Sequence, residues 1–157
     1  MRVLGIDPGL GCTGYAVLDA GPKLLEAGVV RPEGGKDLAR RLASLAESMT
    51  EILDQWQPEA IAVEQLYAHY NHPRTAILMG HARGVYFLLG GQRNLPVISY
   101  PSTNIKKTIT GSGRASKPQM QYAVARELGL AKPPEPHDVA DAIAVALCHL
   151  QAVKLKA

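Results

Sequence analysis

Two cysteines, Cys12 and Cys148, are all the chain contains, too few for a disulfide framework or a zinc cluster of their own. No apolar stretch approaches the ~18 residues a membrane span needs; the best candidate, residues 85–89, is far too short. The opening MRVLGID runs straight into a short apolar strand, without the apolar h-region and small-residue cleavage site of a secretory leader. These absences predict a cytoplasmic protein. Its 157 residues, 46% hydrophobic and 20% charged, suffice for a single domain with a real core.

The most informative absence is of acid. From Gln65 through Arg126, 62 residues, there is no Asp or Glu, while Arg74, Arg83, Arg93, Lys106, Lys107, Arg114, Lys117 and Arg126 supply eight bases. The rest of the chain carries the other 9 bases (17 minus 8) against all 14 acids, so a formal charge of +3 conceals a split into +8 and −5. Such asymmetry points to a polyanionic partner, nucleic acid first. A solvated basic face is the plainer alternative.

Residues 2–7 read as a strand closed by a Pro8-Gly9 turn, and 14–19 and 23–31 as two more strands joined across Ala20, Gly21 and Pro22. Asp37 is placed to cap a helix in which Leu38, Leu42, Leu45, Met49, Ile52, Leu53 and Trp56 recur every three or four residues, stopped by Pro58. Strands follow at 60–65 and 96–101. Helices are expected from Pro73 to about Gly90, from Ser102, from Ser116 to Gly129, and from Pro136 to Val153. The order βββαβαβααα suggests an α/β fold: a five-stranded mixed sheet with helices on both faces. Ala76, Gly80 and Gly84 fall four apart and leave one helix face nearly bare.

Asp7 and Glu64 each close a strand, and the connection between those strands is long enough to make them parallel neighbours. Both acids then emerge at one edge of the sheet, where open α/β folds place ligands. Asp138 and Asp141, three apart, project from one side of the last helix's first turn. Taken singly, each has a plainer role, as turn residue, solvated strand end or complement to the helix dipole. Brought together, two carboxylates ~4 Å apart repel by about 4 kcal/mol at an effective dielectric near 20, so four require protonation or cations. All-oxygen donors favour Mg²⁺ or Mn²⁺ over zinc. Two such ions beside a basic groove form an arrangement that cleaves phosphodiesters, one activating water and one stabilising the leaving 3′ oxygen.

Five blocks carry a family likeness: GIDPGLGCTGYAV at 5–17, AVEQLY at 62–67, GHARGV at 80–85, KKTITGSGRASKPQ at 106–119 and HDVADAIAVALCH at 137–149. In this order and spacing they resemble the RuvC family of Holliday-junction resolvases, whose fold is RNase H-like. The resemblance implies a homodimer that binds a four-way DNA junction and nicks two strands symmetrically, leaving 5′-phosphate and 3′-hydroxyl ends. It implies a catalytic tetrad of Asp7, Glu64, Asp138 and Asp141 holding the metal, a pair of Mg²⁺ or Mn²⁺ ions, with Lys106 and Lys117 near the scissile phosphate. Arg74, Lys107 and Arg114 join them as DNA contacts, and the helix bearing Gly80 and Gly84 is the implied dimer element. Contact with the RuvA–RuvB branch-migration motor is implied by likeness alone. Tyr67 stands where the best-known members have Phe, in position to stack on an unpaired base. Some members carry His at the third acidic position; here His137 precedes Asp138, and the spacing to Asp141 keeps Asp138 as the ligand.

Three other classes compete. The Asp7-to-Gly14 turn is shared with nucleotide-binding ATPases of the actin and sugar-kinase type, but those need a second lobe. A non-catalytic DNA-binding module would leave the four acids unexplained. Another RNase H-like nuclease would cut hybrids or linear duplex as readily as junctions.

Overall fold

A computed structural model describes residues 1–9, 11–66 and 72–157. Strands β1 (Arg2–Asp7), β2 (Thr13–Asp19), β3 (Lys23–Val30), β4 (Ala60–Glu64) and β5 (Val97–Tyr100) form one sheet in the order β3-β2-β1-β4-β5. The first three are antiparallel neighbours, whereas β4 pairs parallel to both β1 and β5. The expected mixed, RNase H-like sheet is therefore present. Period-two alternation sorts β1 onto its two faces: Val3 packs with one core cluster, and Leu4 and Ile6 with the other.

On the Leu4 face lie α1 (Leu38–Trp56) and α2 (Pro73–Gln92). Asp37 caps α1 by accepting from the Arg40 backbone N–H, and Gln57 ends it in the left-handed region one residue before Pro58. The opposite face carries α5 (His137–Lys156) directly on β1 and β2, with α3 (Ser102–Thr110) and α4 (Lys117–Glu127) packed on α5 in turn. Ser116 opens α4 with a reciprocal capping box to Gln119. α2 and α5 run two and three residues past their expected ends, α2 continuing through Gly91 to Gln92 and α5 to Lys156.

Two glycines set how near α5 comes to the sheet. A Cβ built on Gly5 would collide with the Ala142 carbonyl oxygen and lie 2.8 Å from Ala146 Cβ. One built on Gly14 would collide with the Asp138 carbonyl oxygen and lie 2.6 Å from its carbonyl carbon. The helix carrying Asp138 and Asp141 thus rests on bare backbone. Gly14→Ala is expected to push the start of α5 outward and destabilise by roughly 1–3 kcal/mol, the usual scale of overpacking, which a urea or thermal melt reads directly.

Candidate active site

The ends of β1 and β4 put Asp7 and Glu64 side by side, one residue past the paired Ile6 and Val63. The first turn of α5, seated over Gly14, brings Asp138 and Asp141 to them. Among the described residues no three of these side chains close into a ready-made ligand set; the cluster is held through pairs. Asp7 shares a hydrogen bond with the Glu64 carboxyl. Burial first, then the charges of Asp141 and Glu64, that bond, and Asp138 push the Asp7 carboxyl from 3.8 up to about 9. Burial, followed by Glu64, raises Asp141 to about 6, with His137 and Lys117 pulling the other way. Two carboxyls bonded to each other need a proton between them, so protons relieve the mutual repulsion in this arrangement.

A small cleft of about 160 Å³ runs along one side of Glu64, between α3 and α4, and takes in Asp141, Lys106, Lys117 and Ser102. A larger one, about 710 Å³, opens on the other side past Asp7, Gln65, Met79, Arg83 and Thr103. Glu64 and Ser102 line both, so the two clefts meet in one trough along which Asp7, Glu64 and Asp141 lie, while Asp138 lines neither. Asp138 is flanked at each oxygen. Cys12 Sγ donates to Oδ2 at 3.6 Å, and His137 Nε2 lies 3.5 Å from Oδ1.

The eight bases of the acid-free run are not all placed alike. Lys106 and Lys117 face the acids. Lys107, the next residue on α3, lines a different groove with Cys148, Gln151 and Leu155. Arg93 is engaged by Asp54 at 3.0 Å, and Arg83 turns inward to bond the Glu64 carbonyl oxygen and Ser99 Oγ. Arg74 at the start of α2 and Arg114 before α4 are exposed. Tyr67 lies outside the described residues. Sequence reasoning missed Arg83, Ser102 and Cys12 as neighbours of the acids. For Arg83 a faint signal existed, since Phe87 sits one helical turn on and offers a ring to the guanidinium, 5.5 Å away. For Cys12, whose contact spans 126 residues, none did.

The family model described as crossover junction endodeoxyribonuclease RuvC matches residues 3–149. The protein of that name from Rhodopirellula baltica is 48% identical over 149 residues, which are 93% of this chain and 84% of that one. The RuvC structure from Thermus thermophilus superposes with a TM-score of 0.88 at 30% identity, covering 99% of this chain and 97% of the other. The same bacterium's RuvC in complex with a Holliday junction substrate gives 0.90 at 30% identity, over 99% and 96%. The match spans β1, β4, the basic α3–α4 segment and α5 together, and the chain belongs to the RuvC family of crossover junction endodeoxyribonucleases.

Proposed function

We propose that this chain, as one nuclease domain, resolves four-way DNA junctions by hydrolysing a phosphodiester in each of two strands, leaving 5′-phosphate and 3′-hydroxyl ends. The observation that carries the reading is the trough in which buried, mutually repelling carboxyls face two lysines. Asp7, Glu64, Asp138 and Asp141 are the oxygen donors for Mg²⁺ or Mn²⁺, in this reading two ions, and the absence of sulfur or nitrogen from that set suits a hard cation. Bound there, such ions supply Lewis-acid polarisation of the phosphate and stabilise charge on the attacking and leaving oxygens.

The chain's own side chains do the rest. Lys106 and Lys117 neutralise phosphate oxygens across the trough from the acids. Arg74, Lys107 and Arg114 hold duplex backbone farther out, and Tyr67 stacks on a base at the crossover. Two copies pair through α2 to present two such troughs. The cytoplasm is the compartment this implies, with the RuvA–RuvB motor as partner; among the described residues no helix is long and apolar enough to cross a membrane.

A mobile synthetic four-way junction, incubated with Mg²⁺ or with chelator, tests the proposal. Paired, ligatable nicks are expected with the metal and none without it. Binding is expected to fall steeply with salt, by about 0.9 log unit per log unit of salt for each neutralised phosphate. Equal cutting of linear duplex or RNA–DNA hybrid would instead indicate a general RNase H-like nuclease. Junction binding without cutting at any divalent concentration would indicate a DNA-binding module.

A further inference from the structure

We infer that Arg83 is a positioning residue for Glu64, fixing the end of β4 so that the carboxylate meets its cation, rather than one of the bases that meet DNA phosphate. The inference rests on the metal-site reading above. Arg83 lies on α2, 19 positions beyond Glu64, yet its Nη1 donates to the Glu64 carbonyl oxygen. Its Nη2 donates to Ser99 Oγ at 3.0 Å. One planar fork therefore ties the last residue of β4 to the neighbouring strand β5. The face of the same guanidinium lies over the Phe87 ring. Each of these contacts uses a property that arginine has and lysine lacks: two parallel donors and a flat cation.

The position of the tie gives it consequence. Glu64 is where the chain leaves the sheet, so its carbonyl oxygen stands at a strand end, where the regular ladder no longer supplies partners to every group. That carbonyl belongs to the peptide joining Glu64 to Gln65, so holding it fixes the course of the backbone at the residue that carries the carboxylate. Metal ligands must be held to about 0.5 Å to be productive. Asp7, the partner of Glu64 in the cluster, is seated by the β1–β2 pairing. Glu64 lies one residue beyond the β1 pairing, and on the other side it pairs with Tyr100 of β5, whose carbonyl Gln65 N–H reaches at 2.8 Å. Arg83 adds the grip from below, from a helix outside the sheet. Groups that orient a metal ligand from outside the coordination shell typically control about 10–100-fold in metal affinity.

Arg83→Met and Arg83→Lys in the full-length chain, with Ser99→Ala beside them, test this by single-turnover junction cleavage across a Mg²⁺ titration. The midpoint is expected to move about tenfold or more upward for Arg83→Met, and less for Arg83→Lys and Ser99→Ala, each of which keeps one anchor. Junction affinity in Ca²⁺ and its salt slope are expected to stay as in the parent. Ser99→Ala is conservative enough to fold should Arg83→Met not. An unchanged Mg²⁺ midpoint overturns the inference, whether cleavage then falls uniformly, as from general loosening, or binding weakens with a salt slope shallower by about one phosphate. Glu64→Gln separates this from failure of the underlying reading: if that variant still cleaves, the metal site is misassigned, whereas if it is inactive and the midpoints do not move, only the role of Arg83 falls.

Discussion

Asp7→Asn is expected to abolish junction cleavage, by about a thousandfold or more, while leaving junction binding intact and making the protein more stable. The first part follows from the loss of one oxygen donor at the centre of the cluster. In the proposed reading, several kcal/mol of transition-state stabilisation depend on the cation it would help to hold, and each 1.36 kcal/mol is about a decade in rate. The second part follows from position, since Asp7 sits on the floor of the trough while the lysines line its wall.

The gain in stability has a sign that can be worked out. The Asp7 carboxyl is raised from 3.8 to about 9 in the fold, chiefly by burial and then by Asp141 and Glu64. Between those values the native state keeps a proton that the unfolded chain has released, so stability falls as pH rises from about 4 to about 9. At pH 7 the accumulated cost is on the order of a few kcal/mol. Asparagine removes it, and the difference between variant and parent is expected to vanish below about pH 4. Mg²⁺ is expected to reverse the ranking in part: a cation that binds only the native parent stabilises it by about 2.7 kcal/mol at a hundred times its Kd, and the variant by less. Thermal melts in chelator and in Mg²⁺, at pH 4 and pH 7.5, read all of this. A variant no more stable than the parent in chelator at pH 7.5 would mean that the acids do not oppose folding.

The four acids were legible because their positions follow from rules that act locally. Strand ends are readable from apolar alternation and the Pro8-Gly9 turn, and a three-residue spacing in a helix needs no tertiary knowledge. Parallel pairing of β1 with β4 then follows from the length of the intervening α1 connection. The same locality explains α1, whose apolar stripe, Asp37 cap and Pro58 stop lie within one stretch of chain. What escaped was the aim of long side chains. Spacing does not tell Lys106 from Lys107, which only the family likeness set apart, and one faces the acids while the other faces Cys148. Arg93 reads as a free base until α1 brings Asp54 against it, and Arg83 until β4 and β5 lie beneath it. Gly5 and Gly14 likewise look like ordinary strand glycines until α5 is laid on their backbone. Each of these depends on a partner far away in the chain, whose placement is an outcome of folding rather than an input to it.

In the homodimer proposed above, Gly84→Arg is expected to separate the two copies without harming the fold of the single chain. α2 is apolar nearly all round, a composition that ordinarily means burial on every side, yet one side of it is open. Ile77 is 62% and Leu88 59% exposed, with Phe87 at 40% beside them. Among the described residues nothing comes within 4 Å of a Cβ built on Gly80 or Gly84. The bare positions and the exposed apolar ones alternate at helical spacing, so a second copy of α2 laid against the first by a two-fold axis would meet itself backbone to backbone and bury them. An arginine at position 84 costs the monomer nothing by sterics and removes a helix-interior glycine, worth up to about 1 kcal/mol in propensity. Across a two-fold interface it would put two long charged side chains where two bare backbones met. Sedimentation should therefore give 16.8 kDa for the variant and twice that for the parent, with thermal stability at low concentration equal or higher. On a supercoiled cruciform plasmid, the parent should yield linear product from two coordinated nicks and the variant mostly nicked circles. A Gly84→Arg protein that still sediments as a dimer and still linearises the plasmid would place the pairing surface elsewhere than α2.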